Sequence, residues 1–164
     1  MKRFFKLFGW GLLITLIVIQ FFPPEKNENP AFSGHRLTDT YKISDDVSSI
    51  LTTSCYDCHS NNTNAMFYMH IQPIGWWVMH HVNEGKEELN FDEFGTYSLR
   101  RQYRKLDEII EQVNEDEMPL SSYTLVHGDA TLSDAQKKTL TDWAGALMDT
   151  MEAHYPMDSL VRPK

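Results

Sequence analysis

The chain has 164 residues, which is enough for one compact domain and too few for two of ordinary size. Apolar residues make up 41%, with four Trp, nine Phe and seven Tyr, so the chain can bury enough surface to fold and is not a disordered sequence. A formal net charge of −8 argues against a nucleic-acid partner, because phosphate binding needs clustered Lys and Arg, and here Asp and Glu outnumber them 23 to 15.

After Met1-Lys2-Arg3 the stretch from Phe4 to Phe22 is almost wholly apolar, broken by Lys6, Thr15 and Gln20. Its length approaches the roughly 20 residues of a spanning helix. Residues 1–22 are therefore expected to form an N-terminal transmembrane helix, either an anchor or an uncleaved signal, since Gln20-Phe21-Phe22-Pro23-Pro24 has none of the small residues a signal-peptidase site needs. Positive charge ahead of the helix keeps the amino end in the cytoplasm. The expected location is thus the bacterial inner (cytoplasmic) membrane, single-pass, with the C-terminal domain in the periplasm. Residues 23–43, with Pro23, Pro24, Pro30 and Gly34, read as a polar linker.

Residues 44–155 read as one helical domain. Ser44 is a candidate N-cap for a short helix carrying Val47, Ile50 and Leu51 up to Cys55. Pro73 suits the first position of a second helix through Trp76, Trp77, Val78 and Val82, expected to stop near Gly85. Asn90 caps a short turn through Phe91 and Phe94. Ser98 opens a third helix whose Leu99, Tyr103, Leu106, Ile109, Ile110 and Val113 form one apolar stripe, ending before Met118-Pro119. Ser133 and Gln136 match a capping box ahead of a last helix through Leu140, Trp143, Leu147 and Met151. Residues 156–164 read as a tail. No strand signal is comparable.

The chain's two cysteines occur in Cys55-Tyr56-Asp57-Cys58-His59, the C-x-x-C-H arrangement of c-type haem attachment. Two thiols a short turn apart can each add to one haem vinyl group, and the adjacent imidazole can bind iron from the proximal side. The expected cofactor is one covalently attached haem c. A thiol oxidoreductase would call for an alternating strand–helix setting that is absent here, and a structural zinc site would need two further histidines.

Glu117-Met118-Pro119, Tyr123, His127, Leu132-Ser133-Asp134 and Trp143 resemble the carboxy-terminal half of small monohaem cytochromes c. Cys55 to Asn61, Trp76-Trp77, Leu89 to Phe94 and Glu117 to His127 together also resemble a bacterial haem-binding domain family with a CxxCH motif. That resemblance implies an all-α, small cytochrome c-like helical domain around a covalently bound haem. It departs from the pattern at Leu120, where a second Pro is commoner. The resemblance and the position of Met118 before a Pro make Met118 the expected distal iron ligand opposite His59, with His127 the alternative. His80 and His81 share a helix, where at most one can face iron. Trp76, Trp77, Phe67, Tyr68 and Trp143 are expected to wall the haem pocket or pack the core.

The function expected from these residues is membrane-tethered monohaem electron transfer, with a redox partner protein at or near the membrane and a carrier favoured over a catalyst. A haem-based sensor or enzyme with an open or displaceable distal site is one alternative, and a structural haem-binding module is another. A peroxidase would want a distal acid–base pair, which the sequence does not single out.

Overall fold

The computed structural model describes residues 1–29 and 34–162. Among these the secondary structure is helical and no strand forms, apart from one isolated antiparallel bridge between Glu28 and Asn62. Nine α-helices follow one another: α1 (Lys2–Ile19), α2 (Leu37–Thr40), α3 (Asp45–Ser54), α4 (Tyr56–His59), α5 (Ile74–Glu88), α6 (Leu99–Asn114), α7 (Ser121–Thr124), α8 (Asp134–His154) and α9 (Met157–Leu160). All-α architecture is what the sequence pattern predicts, and the reasons are local. Ser44 Oγ accepts from the Val47 amide at the start of α3, and Ser98 Oγ accepts from Arg101 at the start of α6. At α8 both halves of the capping box form between Ser133 and Gln136.

The main core is built where α6 crosses α8, with α3, α9 and the Phe91–Phe94 turn packed around them. Leu51, Phe94, Leu106, Leu140 and Leu160 are fully buried there. Truncating such a leucine to Ala costs about 2–5 kcal/mol. A smaller cluster of Met69, Met79 and Val82 lies under α5, with Cys58 packed against it. Helix α4, which carries the end of the C-x-x-C-H sequence, sits between α3 and α5 and so between the two clusters.

Three boundaries differ from the sequence reading. First, α1 ends at Ile19 and includes Lys2, Arg3 and Lys6, so it is 18 residues long and about 27 Å at ~1.5 Å per residue. No helix among the described residues is long and apolar enough to cross a membrane, and the transmembrane helix expected over 1–22 is not found. The physical reason is that Lys2, Arg3 and Lys6 take up the first turns of an 18-residue helix, which cannot lengthen at its other end because Gln20 turns back to the domain, its side chain donating to the Gln72 carbonyl and accepting from the Gln72 amide.

Second, the stretch read as linker is packed onto the domain. Asn27 is buried and donates to the Ser60 carbonyl, while Asn29 and Thr63 amides complete a ladder between 27–29 and 60–63. Leu37 belongs to the main core. At the other end, Leu160 of α9 fills the same core, so the segment read as a tail is part of the fold. Third, α5 runs past Gly85 to Glu88. A Cβ at Gly85 would meet the Cys58 carbonyl oxygen at 2.9 Å and His59 Cε1 at 3.4 Å. This glycine is an interior contact with α4, not a terminator.

Candidate haem site

Helix α4 follows α3 after a break at Cys55, and the Cys58 and His59 amides both bond back to the Cys55 carbonyl. That turn sets both sulfurs and the imidazole on one short piece of backbone. His59 Nδ1 lies 3.0 Å from the Gly85 carbonyl and 2.9 Å from the Leu89 carbonyl. Carbonyls only accept, so Nδ1 carries the proton and Nε2 keeps its lone pair. Burial holds the imidazole below its ordinary pKa, against the pull of these two carbonyls. The result is a neutral, oriented imidazole of the kind a metal takes as ligand, with the outer hydrogen bonds that fix its tautomer already made.

His59 lines a cavity of about 370 Å³ together with Cys55, Leu51, Val113, Met118 and Leu132. A second compartment of about 240 Å³ shares Cys55, His59, Met118 and Pro119 and adds Cys58 and His81. The first is within the size range of cofactor pockets, and its lining is mostly apolar. Burial pushes the Cys55 thiol up to about 12, with Cys58 adding to it, and pushes Cys58 up to about 11, with Asp57 adding to it. Both sulfurs are free in the described chain. Two free thiols and a pinned imidazole beside an apolar cavity of this size form a donor set that fits haem.

Met118 reaches the cavity because of how α6 ends. Asp116 adopts φ 61°, the left-handed region that Asp tolerates better than most residues. Beyond it the Glu117 and Met118 amides both fold back onto the Gln112 carbonyl. Asp116 is also ion-paired to Lys137 of α8, so the reversal is tied to the core. Asp116, in the acidic run Glu115-Asp116-Glu117, is therefore the residue that turns the chain toward the cavity. Among the described residues Met118 is the one methionine that lines either compartment, whereas Met69, Met79 and Met151 are core.

His127 lines neither compartment. Its Nε2 is 2.6 Å from the Tyr68 hydroxyl, and its ring stacks on Tyr123 at 4.3 Å. Tyr123 donates to Asp57 Oδ2 at 2.8 Å, and the Asn64 amide donates to Asp57 Oδ1. His127 thus stands at the back of a network that grips the residue between the two cysteines. Of the helix pair, His80 faces Glu84 in solvent, and His81 borders the compartment with its Nδ1 on the Trp77 carbonyl. The aromatic run does not wall the cavity: Phe67, Trp76 and Trp77 are exposed and Trp143 packs on the main core. The face of α5 turned inward carries Gly75, Met79 and Val82 instead.

Two contributors to the site were not read as such from the sequence. Gly85, expected as a helix end, allows α5 to approach His59, and its only signal was a glycine inside a helical pattern. Lys105 is buried on the cavity wall with its ammonium 3.0 Å from Glu88 and 2.5 Å from Glu108. A buried cation keeps its charge by such pairing, and Lys105 in turn holds the Glu88 carboxyl below its ordinary value.

A family model described as a haem-binding domain matches residues 14–146. The chain belongs to the haem-binding domain family. Cys55, Cys58, His59 and Met118 all fall within the matched stretch. No curated protein and no solved structure matches the chain.

Proposed function

We propose that this haem-binding domain is a monohaem electron carrier of the c type, held at the bacterial inner membrane with its folded part in the periplasm. In this reading Cys55 and Cys58 would hold haem through thioether links, and His59 and Met118 would bind its iron. A redox partner protein at or near the membrane exchanges the electron. The observation that carries it is the pinned His59 imidazole, whose Nδ1 is held by two backbone carbonyls while the smaller compartment that it lines takes in both cysteines and Met118. Helix α1 supports the membrane attachment, because it buries none of its residues against the protein and most of them are large and apolar.

Bound haem would supply one-electron chemistry at its iron. Around it, burial keeps His59 neutral and the Gly85 and Leu89 carbonyls fix its tautomer and orientation, so no proton need move at Nδ1 when charge changes. Leu51, Phe91, Val113 and Leu132 exclude water from the cavity. Lys105 offers a buried positive charge on its wall. A six-coordinate site of this kind needs no substrate pocket.

A second reading, a ligand-binding haem protein, draws on the loop position of Met118. The deciding measurement is the absorption spectrum of the chain made with a haem-attachment system, oxidised and reduced, before and after carbon monoxide. A carrier gives low-spin bands that carbon monoxide leaves unchanged, and its colour stays with the protein after acid and organic-solvent extraction. Haem released into the solvent would sink covalent attachment, and ready carbon monoxide binding would put the ligand-binding reading first.

A further inference from the structure

Among the described residues, most large apolar side chains that the folded domain leaves in solvent gather at one end, where α1 joins it. They are Phe21 and Phe22 after α1, Phe67, Ile71, Ile74 and Trp77 around the start of α5, and Leu125 and Val126 after α7. These segments are far apart in sequence and are brought together by side-chain contacts. Gln20 grips Gln72, and Trp76 Nε1 donates to the Phe22 carbonyl at 2.7 Å. Ile74, Trp77 and Val126 line one hollow of about 250 Å³, and Tyr68, edge-on to Phe67, lines it too.

Charge marks the same surface. Residues 7–24, 58–83 and 118–128, the segments that build it, contain no Asp, Glu, Lys or Arg, although the chain has 23 acidic and 15 basic residues. The one charged residue that borders the hollow, Asp57, has its carboxylate taken by the Tyr123 hydroxyl and the Asn64 amide. A surface so poor in charge, with exposed Trp and Phe, suits the boundary between lipid headgroups and acyl chains.

We infer that this collar is a lipid-docking surface, seated by Phe21, Phe22, Phe67, Ile71, Ile74 and Trp77 in the interface of an anionic bilayer. The inference rests on membrane attachment through α1 and goes beyond it, since the domain itself lies on the lipid. Continuity argues for lipid as the occupant: α1 is apolar beyond Lys6 and buries nothing, and the residues that follow it, Gln20 and Phe22, are pinned to this collar, so a bilayer that receives α1 meets the collar as well. Lys2, Arg3 and Lys6 add attraction to anionic headgroups. Cys58 lines the same hollow, so docking brings that end of the haem site to the lipid boundary.

The test uses the full haem-loaded chain with vesicles of zwitterionic and anionic phospholipid that include a lipid bearing a photoactivatable acyl chain. Cross-linked peptides are mapped by mass spectrometry. Docking predicts label on residues 66–78 as well as on α1. The double variant Phe67→Glu/Ile71→Glu should lower labelling of 66–78 about tenfold, while α1 labelling, the Soret band and the thermal midpoint stay as in the parent. Label confined to α1 on vesicle-bound protein overturns the collar and leaves attachment standing; failure to sediment with vesicles overturns both. A detergent-solubilised dimer that the same double variant dissociates, with no label on 66–78, would reassign the surface to a second copy of the chain.

Discussion

His59 and Met118 border the same cavity on supports of unequal stiffness. His59 is fixed from three directions: the Cys55 carbonyl takes its amide, Gly85 and Leu89 take its Nδ1, and its own carbonyl receives the Phe91 amide. Met118 hangs on a loop whose amides return to Gln112, with Asp116–Lys137 as the tie to α8. The His59 side is thus part of the fold, and the Met118 side is an appendage of it. If both hold iron as proposed, the site would keep its cofactor through one wall and tune its chemistry through the other.

The largest expected effect separates the two walls directly. His59→Ala leaves the buried Leu89 carbonyl without its donor, whereas the Gly85 carbonyl keeps the Leu89 amide; the cost is about 1–3 kcal/mol, and the change should abolish the low-spin spectrum together with a measurable loss of thermal midpoint. Met118→Ala should retain the fold and the attached haem yet gain carbon monoxide binding and a high-spin fraction. If Met118→Ala keeps the parent spectrum, the distal ligand lies elsewhere, and His81, which borders the same compartment, is the next residue to change.

A smaller effect tests the packing that makes the proximal side rigid. Gly85→Ala gains about 1 kcal/mol of helix propensity but forces a methyl against the Cys58 carbonyl, so calorimetry should show a net loss of roughly 0.5–2 kcal/mol. Gly145→Ala in α8, where a Cβ meets nothing within 4 Å, supplies the control and should stabilise by up to about 1 kcal/mol. Equal outcomes at both positions would show that Gly85 is not the contact that seats α5 on His59.

The smallest effect concerns the network behind the motif. Burial, followed by the hydrogen bond to Asp57, raises the Tyr123 hydroxyl above its ordinary value of 10.0. The folded chain therefore holds this proton at a pH where the unfolded chain has released it, so the associated stability is complete below pH 10.0 and is lost as pH rises above it. Tyr123→Phe should flatten that alkaline decline and cost about 1 kcal/mol at neutral pH, measured by denaturant titration at several pH values. His127→Ala should disturb the same network while leaving the absorption bands in place. A spectrum that collapses in His127→Ala but survives in Met118→Ala would reverse the assignment of the two residues.

Sequence alone determined what is encoded within a few neighbouring residues. The caps at Ser44, Ser98 and Ser133, the apolar stripe of α6 and the C-x-x-C-H sequence all rest on positions at most four or five apart. Tertiary structure decided which faces those elements turn toward one another. It sent the aromatic run of α5 outward and packed Leu37 and Leu160 into the core from segments that carry no periodic signal. It committed His127 to Tyr68 and Tyr123, and it made Gly85 an interior contact. In each case the deciding partner lies more than twenty residues away or on another helix. Burial there is a property of the assembled neighbours, which local pattern does not carry.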